Sequence, residues 1–201
     1  AASVIGKDVP YALLQAIADL PEEQLRQRLA RLQGAEFLYE VSLFPELEYT
    51  FKHALTHEVA YGSLLQERRR TLHARIGAAM ERLYAERLEE HTEELARHFT
   101  RGEVWAKAAD YARLAAERAA ALCADAKAVE LYEQVLDALG RLPEGKETTR
   151  LAIEVRLALR APLWRAGQLD RLFELYREAE QLATRSGETA PLDRIYAFLV
   201  P

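Results

Sequence analysis

Residues 140 to 147, GRLPEGKE, carry the glycine, glycine and lysine spacing of a phosphate-binding loop. Such a loop follows a strand and opens a helix; its lysine reaches the outer phosphates and the Ser or Thr after it holds magnesium. In this chain Glu147 occupies that last position, which sets a negative charge beside a polyphosphate. The preceding DAKAVELYEQVLDAL has helical periodicity, and Pro143 between two glycines has the chemistry of a helix stop and a loop. The stretch is therefore read as a connection, and no cofactor is expected on this chain.

The remaining reactive side chains are sparse. His53 and His57 stand four apart with Glu58 behind them, a spacing that can place two metal ligands on one helix face. No third ligand is near and no cysteine pair exists, so no metal is expected. Ser63 follows Gly62 but lacks the second glycine of a nucleophile elbow. Glu86, Glu89, Glu90, Glu93 and Glu94 form a tract read as a solvated helix face. No catalytic group emerges, and the chain is expected not to be an enzyme. The basic residues Arg68, Arg69, Arg70 and Arg75, with His73, fall within two turns and form a candidate contact patch. Residues 1 to 83 nevertheless hold ten Lys and Arg against eleven Asp and Glu, an unusual balance for a dedicated DNA reader.

The elements that would position these groups change character along the chain. Leu13, Leu14 and Ile17 have helical spacing after Pro10. A second helix starts at Pro21, places Leu25, Leu29 and Leu32 on one stripe, and stops at Gly34. The period then becomes two: Phe37, Tyr39, Val41 and Leu43 share one face, and after Pro45 Leu47, Tyr49 and Phe51 alternate with polar residues, which predicts a β-hairpin. Two helices followed by a hairpin is the order of a winged-helix domain, with AASVIG as the remnant of its opening helix. Gln24, Arg26, Gln27, Arg28 and Arg31 on the second helix would face a groove if that domain bound DNA.

Beyond the hairpin only helices are expected. Leu72, Ile76, Met80 and Leu83 recur at helical intervals, and five further helical segments follow to the C-terminal end. Leu172, Tyr176 and Ala179 after Gly167 match the packing positions of a tetratricopeptide second helix. Ala128, Tyr132 and Val135 repeat that pattern forty-four residues earlier. GRLPEGKETT accounts for the excess over a regular repeat, and Thr148 or Thr149 is available to cap the next helix. Pro162 inside a helical run requires a bend or restart near Ala161.

The fold class expected is mainly α: a partial winged-helix domain with one hairpin over residues 1 to 83, then a tetratricopeptide-like array over 84 to 201, truncated at its end. The chain has 201 residues, is half hydrophobic and carries a net charge of −5, which argues against broad nucleic-acid binding. No apolar run is long enough to span a bilayer. Cys123 is the lone cysteine and is read as a small buried hydrophobe in a reducing cytoplasm.

AASVIGKDVPYALLQAIADLPEEQLRQRLARLQGAEFLYE, with YTFKHALTHEVAYGSLLQERRRTLHARIGAAME after it, resembles the segment behind the nucleotide-binding domain of large bacterial STAND-type signalling ATPases. Many of these carry an N-terminal class III adenylate or guanylate cyclase domain. The resemblance covers residues 1 to about 140. It implies a winged helix that packs on the ATPase module and holds it inactive, a helical arm that senses a protein partner, and switching by ATP and ADP exchange in the parent protein. It also implies that His53 in FKHAL approaches the diphosphate of ADP bound on that module. His57 departs from the glutamine expected there.

Overall fold

The computed structural model describes residues 1–42, 46–187, 191–193 and 196. The chain is mainly helical with one small antiparallel sheet, and it divides into two units: Ala1–His91 with His98–Val104, and Thr92–Arg97 with Trp105–Pro201.

The first unit runs α1 (Ala2–Ile5), β1 (Asp8–Pro10), α2 (Tyr11–Ile17), α3 (Glu22–Gly34), β2 (Leu38–Ser42), β3 (Glu48–Phe51), α4 (Ala54–Gly62) and α5 (Gln66–Leu83), with a 3₁₀ segment over Ala85–His91. The helix α6 (Thr92–Arg101) contributes its last turn to this unit. The sheet has the order β1-β3-β2, so the expected hairpin gains a third strand. Three residues are too few to show a period of two, and Pro10 cannot donate to a ladder. On an edge strand that loss is harmless. Val9 pairs with Tyr49 and is fully buried, and Thr50 Oγ1 donates to Asp8 Oδ1 at 2.7 Å.

The apolar residues of the β2 alternation share one face, and that face is the exposed one. Phe37, Tyr39 and Val41 are exposed, whereas Leu38 is buried; Leu43 lies outside the described residues. Register decides this. Leu38 stands opposite Phe51, whose ring is in the core, and a shift of one residue along a strand exchanges its faces. Tyr49 and Phe51 of β3 are buried as their alternation predicts.

Helix ends depend on left-handed residues that are mostly not glycine. Glu36, Glu103 and Cys123 have φ of 59°, 56° and 56°. At each, the next amide bonds back five residues, as Phe37 to Leu32, Val104 to Phe99 and Ala124 to Ala119. Cys123 is therefore an exposed turn residue and not the buried hydrophobe its apolar neighbours suggest.

The second unit contains α7 (Trp105–Ala121), α8 (Asp125–Leu139), α9 (Lys146–Ala158), α10 (Arg160–Arg165) and α11 (Leu169–Ser186). Six alanines of α7, from Ala108 to Ala119, are buried, and the small side chains let α7 and α8 pack closely. All six positions singled out by the repeat pattern, Ala128, Tyr132 and Val135 on α8 and Leu172, Tyr176 and Ala179 on α11, are buried. Pro162 would clash with the carbonyl four residues back, and α9 ends there, at Ala158. Arg165 bonds Asp125 through both Nε and Nη2, tying α10 to the start of α8. The carboxyl of Asp125 is held below its ordinary range by that hydrogen bond first and by the charge of Arg165. The terminal PLDRIYAFLV segment falls largely outside the described residues.

In the first unit α5 and the end of α6 approach so closely that no β-carbon fits at Gly102. One built there would lie 2.7 Å from the backbone nitrogen of Ala74. Gly102→Ala is expected to lower stability by about 1–3 kcal/mol through overpacking, read as a lower urea midpoint at unchanged slope. An unshifted midpoint would show that the two helices can part without cost.

Candidate functional site

The GRLPEGKE loop joins two helices, α8 and α9, and follows no strand. The amides of Gly140, Arg141 and Leu142 bond back to Leu136, Ala138 and Leu139 of α8. The Gly145 amide donates to Thr148 Oγ1 at 2.9 Å, so Thr148 does cap α9, from inside its first turn. Four of the loop's amides are thus committed to helix ends, and Lys146 is solvent-exposed. Ser63 Oγ donates to the Ala60 carbonyl at 2.8 Å at the end of α4 and has no base in that contact.

His53 is exposed and precedes α4 with extended backbone; its side chain makes no capping bond. Its carbonyl accepts from the Thr56 and His57 amides, which starts the helix. His57 instead packs edge-on to Phe51 at 5.1 Å between ring centroids and parallel to Tyr61 at 6.5 Å. Among the described residues no three His, Cys, Asp or Glu side chains gather as a metal site.

The candidate basic patch is divided by its partners. Arg75 donates to both carboxylate oxygens of Asp19, at 2.9 and 2.7 Å, and to the Ile17 carbonyl at 3.0 Å. Arg70 bridges Glu67 and Glu103 at 2.7 and 3.0 Å. Arg68 is exposed. The guanidinium of Arg69 lies 5.1 Å from the Tyr61 ring centroid. On α3, Arg26 is bound to Glu22 and lies over Tyr11, while Gln24, Gln27, Arg28 and Arg31 are exposed.

Between α5 and α6 stands a buried polar group that the sequence does not announce. His73 and His98 are each 1% exposed, and their Nδ1 atoms are 2.9 Å apart. A neutral imidazole carries one N–H, so one Nδ1 donates to the other. The second nitrogen of His73, Nε2, is 3.0 Å from the Tyr61 hydroxyl. His73 was visible only as part of a basic run, and His98 lies twenty-five residues on with no spacing to link them.

Two hollows adjoin these groups. One, of about 570 Å³, is lined by apolar side chains including Leu32, Phe37, Leu38, Phe51, Leu55 and Val59. Leu55 and Val59 are 69% and 62% exposed. The other, of about 370 Å³, is lined by polar side chains of α4, α5 and the end of α6. No helix among the described residues is long and apolar enough to cross a membrane.

The chain matches no known protein family, curated protein or solved structure in comparison.

The Asp19 carboxyl is held below its ordinary range by the hydrogen bond from Arg75, then by the charge of Arg75 and, less, of Arg68, against a smaller opposing effect of burial. Its contribution to stability is complete above the unfolded carboxylate range and is lost as pH falls through the lowered folded value. Asp19→Asn should therefore unfold earlier in urea at neutral pH, with the two curves converging in acid. A gap that persists at all pH values would mean that the charge of Asp19 is not what holds Arg75.

Proposed function

We propose that this chain is a non-enzymatic regulatory and protein-interaction portion of a STAND-type signalling ATPase, in which a winged helix couples nucleotide state to a helical sensor arm. The observation that carries the reading is the element order of the first unit, helix, strand, helix, helix, strand, strand, with all three strands in one sheet, followed by helices alone. The buried repeat positions on α8 and α11 support a tetratricopeptide-like arm, whose stacked helices suit capture of a protein partner. The apolar hollow beside the exposed Leu55 and Val59 supports protein contact over chemistry, because isolated proteins seldom leave a large apolar surface to water.

On this reading the partners are the parent ATPase module and a protein bound by the arm. ATP and ADP belong to the parent, an adenylate or guanylate cyclase domain accompanies it in many such proteins, and the setting is cytoplasmic. His53, exposed at the start of α4, is free to donate to a phosphate oxygen of ADP held by the module. DNA reading by α3 receives less support, since Arg26 is engaged by Glu22 and residues 1 to 83 hold more acidic than basic side chains.

The test requires the parent reading frame before Ala1 and, if it encodes a nucleotide-binding module, joins that module to this chain. His53→Ala should release ADP about tenfold faster, the size of one hydrogen bond to a charged group. Unchanged release would remove the sensor role, and an upstream reading frame without a Walker A loop would remove the ATPase reading itself.

A further inference from the structure

The polar hollow of the first unit has the composition of an anion site. Its lining includes Tyr61, Arg69, Arg70, His73, Arg101 and Glu103, so three guanidiniums face one carboxylate in a chain whose overall charge is −5. Glu103 accepts from Arg70 at 3.0 Å, and Arg70 is further held by Glu67. Arg69 and Arg101 have no carboxylate partner among the described residues.

Arg69 gives the second observation. Its Nε is buried and has no acceptor among the described residues, while its guanidinium packs on Tyr61. A buried charged donor left without an acceptor costs more than a neutral one, and native proteins rarely tolerate it. An exposed arginine is satisfied by water; this nitrogen is shielded from it.

One of the two tautomeric arrangements of the histidine pair frees a further donor. When His98 Nδ1–H donates to His73 Nδ1, the proton of His73 sits on Nε2 and donates to the Tyr61 oxygen. The Tyr61 hydroxyl hydrogen is then free for an acceptor in the hollow. Gln66, at the start of α5, adds an amide to the lining.

We infer that this pocket, formed by the C-terminal end of α4, the first turns of α5 and the last turn of α6, binds a small phosphate-bearing molecule. Planar guanidiniums match phosphate oxygens bidentately, and the volume of about 370 Å³ lies in the range of small-ligand sites and exceeds what a single halide ion needs. The site includes neither His53 nor the GRLPEGKE loop and does not depend on an ATPase module, so it stands or falls apart from the function proposed above.

Inorganic phosphate and pyrophosphate titrated into the 201-residue chain at fixed ionic strength, with chloride as the balancing anion, provide the test. Binding followed by NMR should saturate and should shift the Arg69 Nε–H and the His73 ring. Arg69→Gln with Arg101→Gln should weaken it at least tenfold, whereas Arg113→Gln on α7 should leave it unchanged. If the double variant does not fold, Arg101→Gln alone decides, because its side chain is exposed and its loss leaves the core intact. A linear response without saturation, equal effects of chloride and phosphate, or unaltered affinity in the Arg101 variant would each overturn the proposal.

Discussion

The contact on which the first unit depends is the near-touching of α5 and the end of α6. Gly77 admits the Phe99 ring so closely that a β-carbon there would come within 2.7 Å of it, and Gly102 lies equally tight on the backbone at Ala74. Only that separation brings His73 and His98 to a hydrogen bond between like atoms. The pair is a directional contact beside the packing of Phe99 on Gly77, and directional contacts fix register where hydrophobic packing alone tolerates sliding. Leu72, Ile76 and Met80 bury the same helix against the rest of the core.

From that seam α5 reaches its other neighbours. Arg75 crosses to the end of α2, where it satisfies the Ile17 carbonyl and binds Asp19, so a helix terminus and an ion pair are secured by one side chain. One turn earlier Arg70 reaches the left-handed residue Glu103 just after α6. Glutamate is a poor choice for a positive φ that glycine would adopt without strain, and its carboxylate is engaged by Arg70. Tyr61 on α4 joins the same network through His73 and, by ring contacts, connects it to His57 and Phe51.

What the sequence disclosed follows the range of the interactions involved. Helices came through because their stripes repeat over several turns: Leu25 and Leu29 on α3, and Leu72, Ile76 and Met80 on α5, are buried as their spacing requires. Strand β1 is invisible in the sequence because its evidence is a partner forty residues away, and which face of β2 is buried depends on its register with β3. Cys123 was misread for a related reason: its alanine-rich surroundings suggest a core, but a helix end needs one left-handed residue and the chain happens to place cysteine there. The arginine run was legible as charge, but its division into paired and unpaired members was not, since Asp19 and Glu103 lie far from it in sequence.

The same distinction separates arginines that build this fold from those that have something left to offer. Arg113 and Arg150 reach carboxylates three or four residues away on their own helices, contacts that engage the head group while contributing little stability. Arg75, Arg156 and Arg165 join separate segments and have a structural role sufficient to explain them. Arg28 and Arg31 are exposed. Arg69 fits none of these groups: its Nε is buried with no acceptor among the described residues, and it lies beside Tyr61 and His73, the two residues whose protons can be redistributed toward the same hollow. Burial without an acceptor is a cost that packing on Tyr61 offsets only in part, and an oxyanion between Arg69 and Arg101 would remove it.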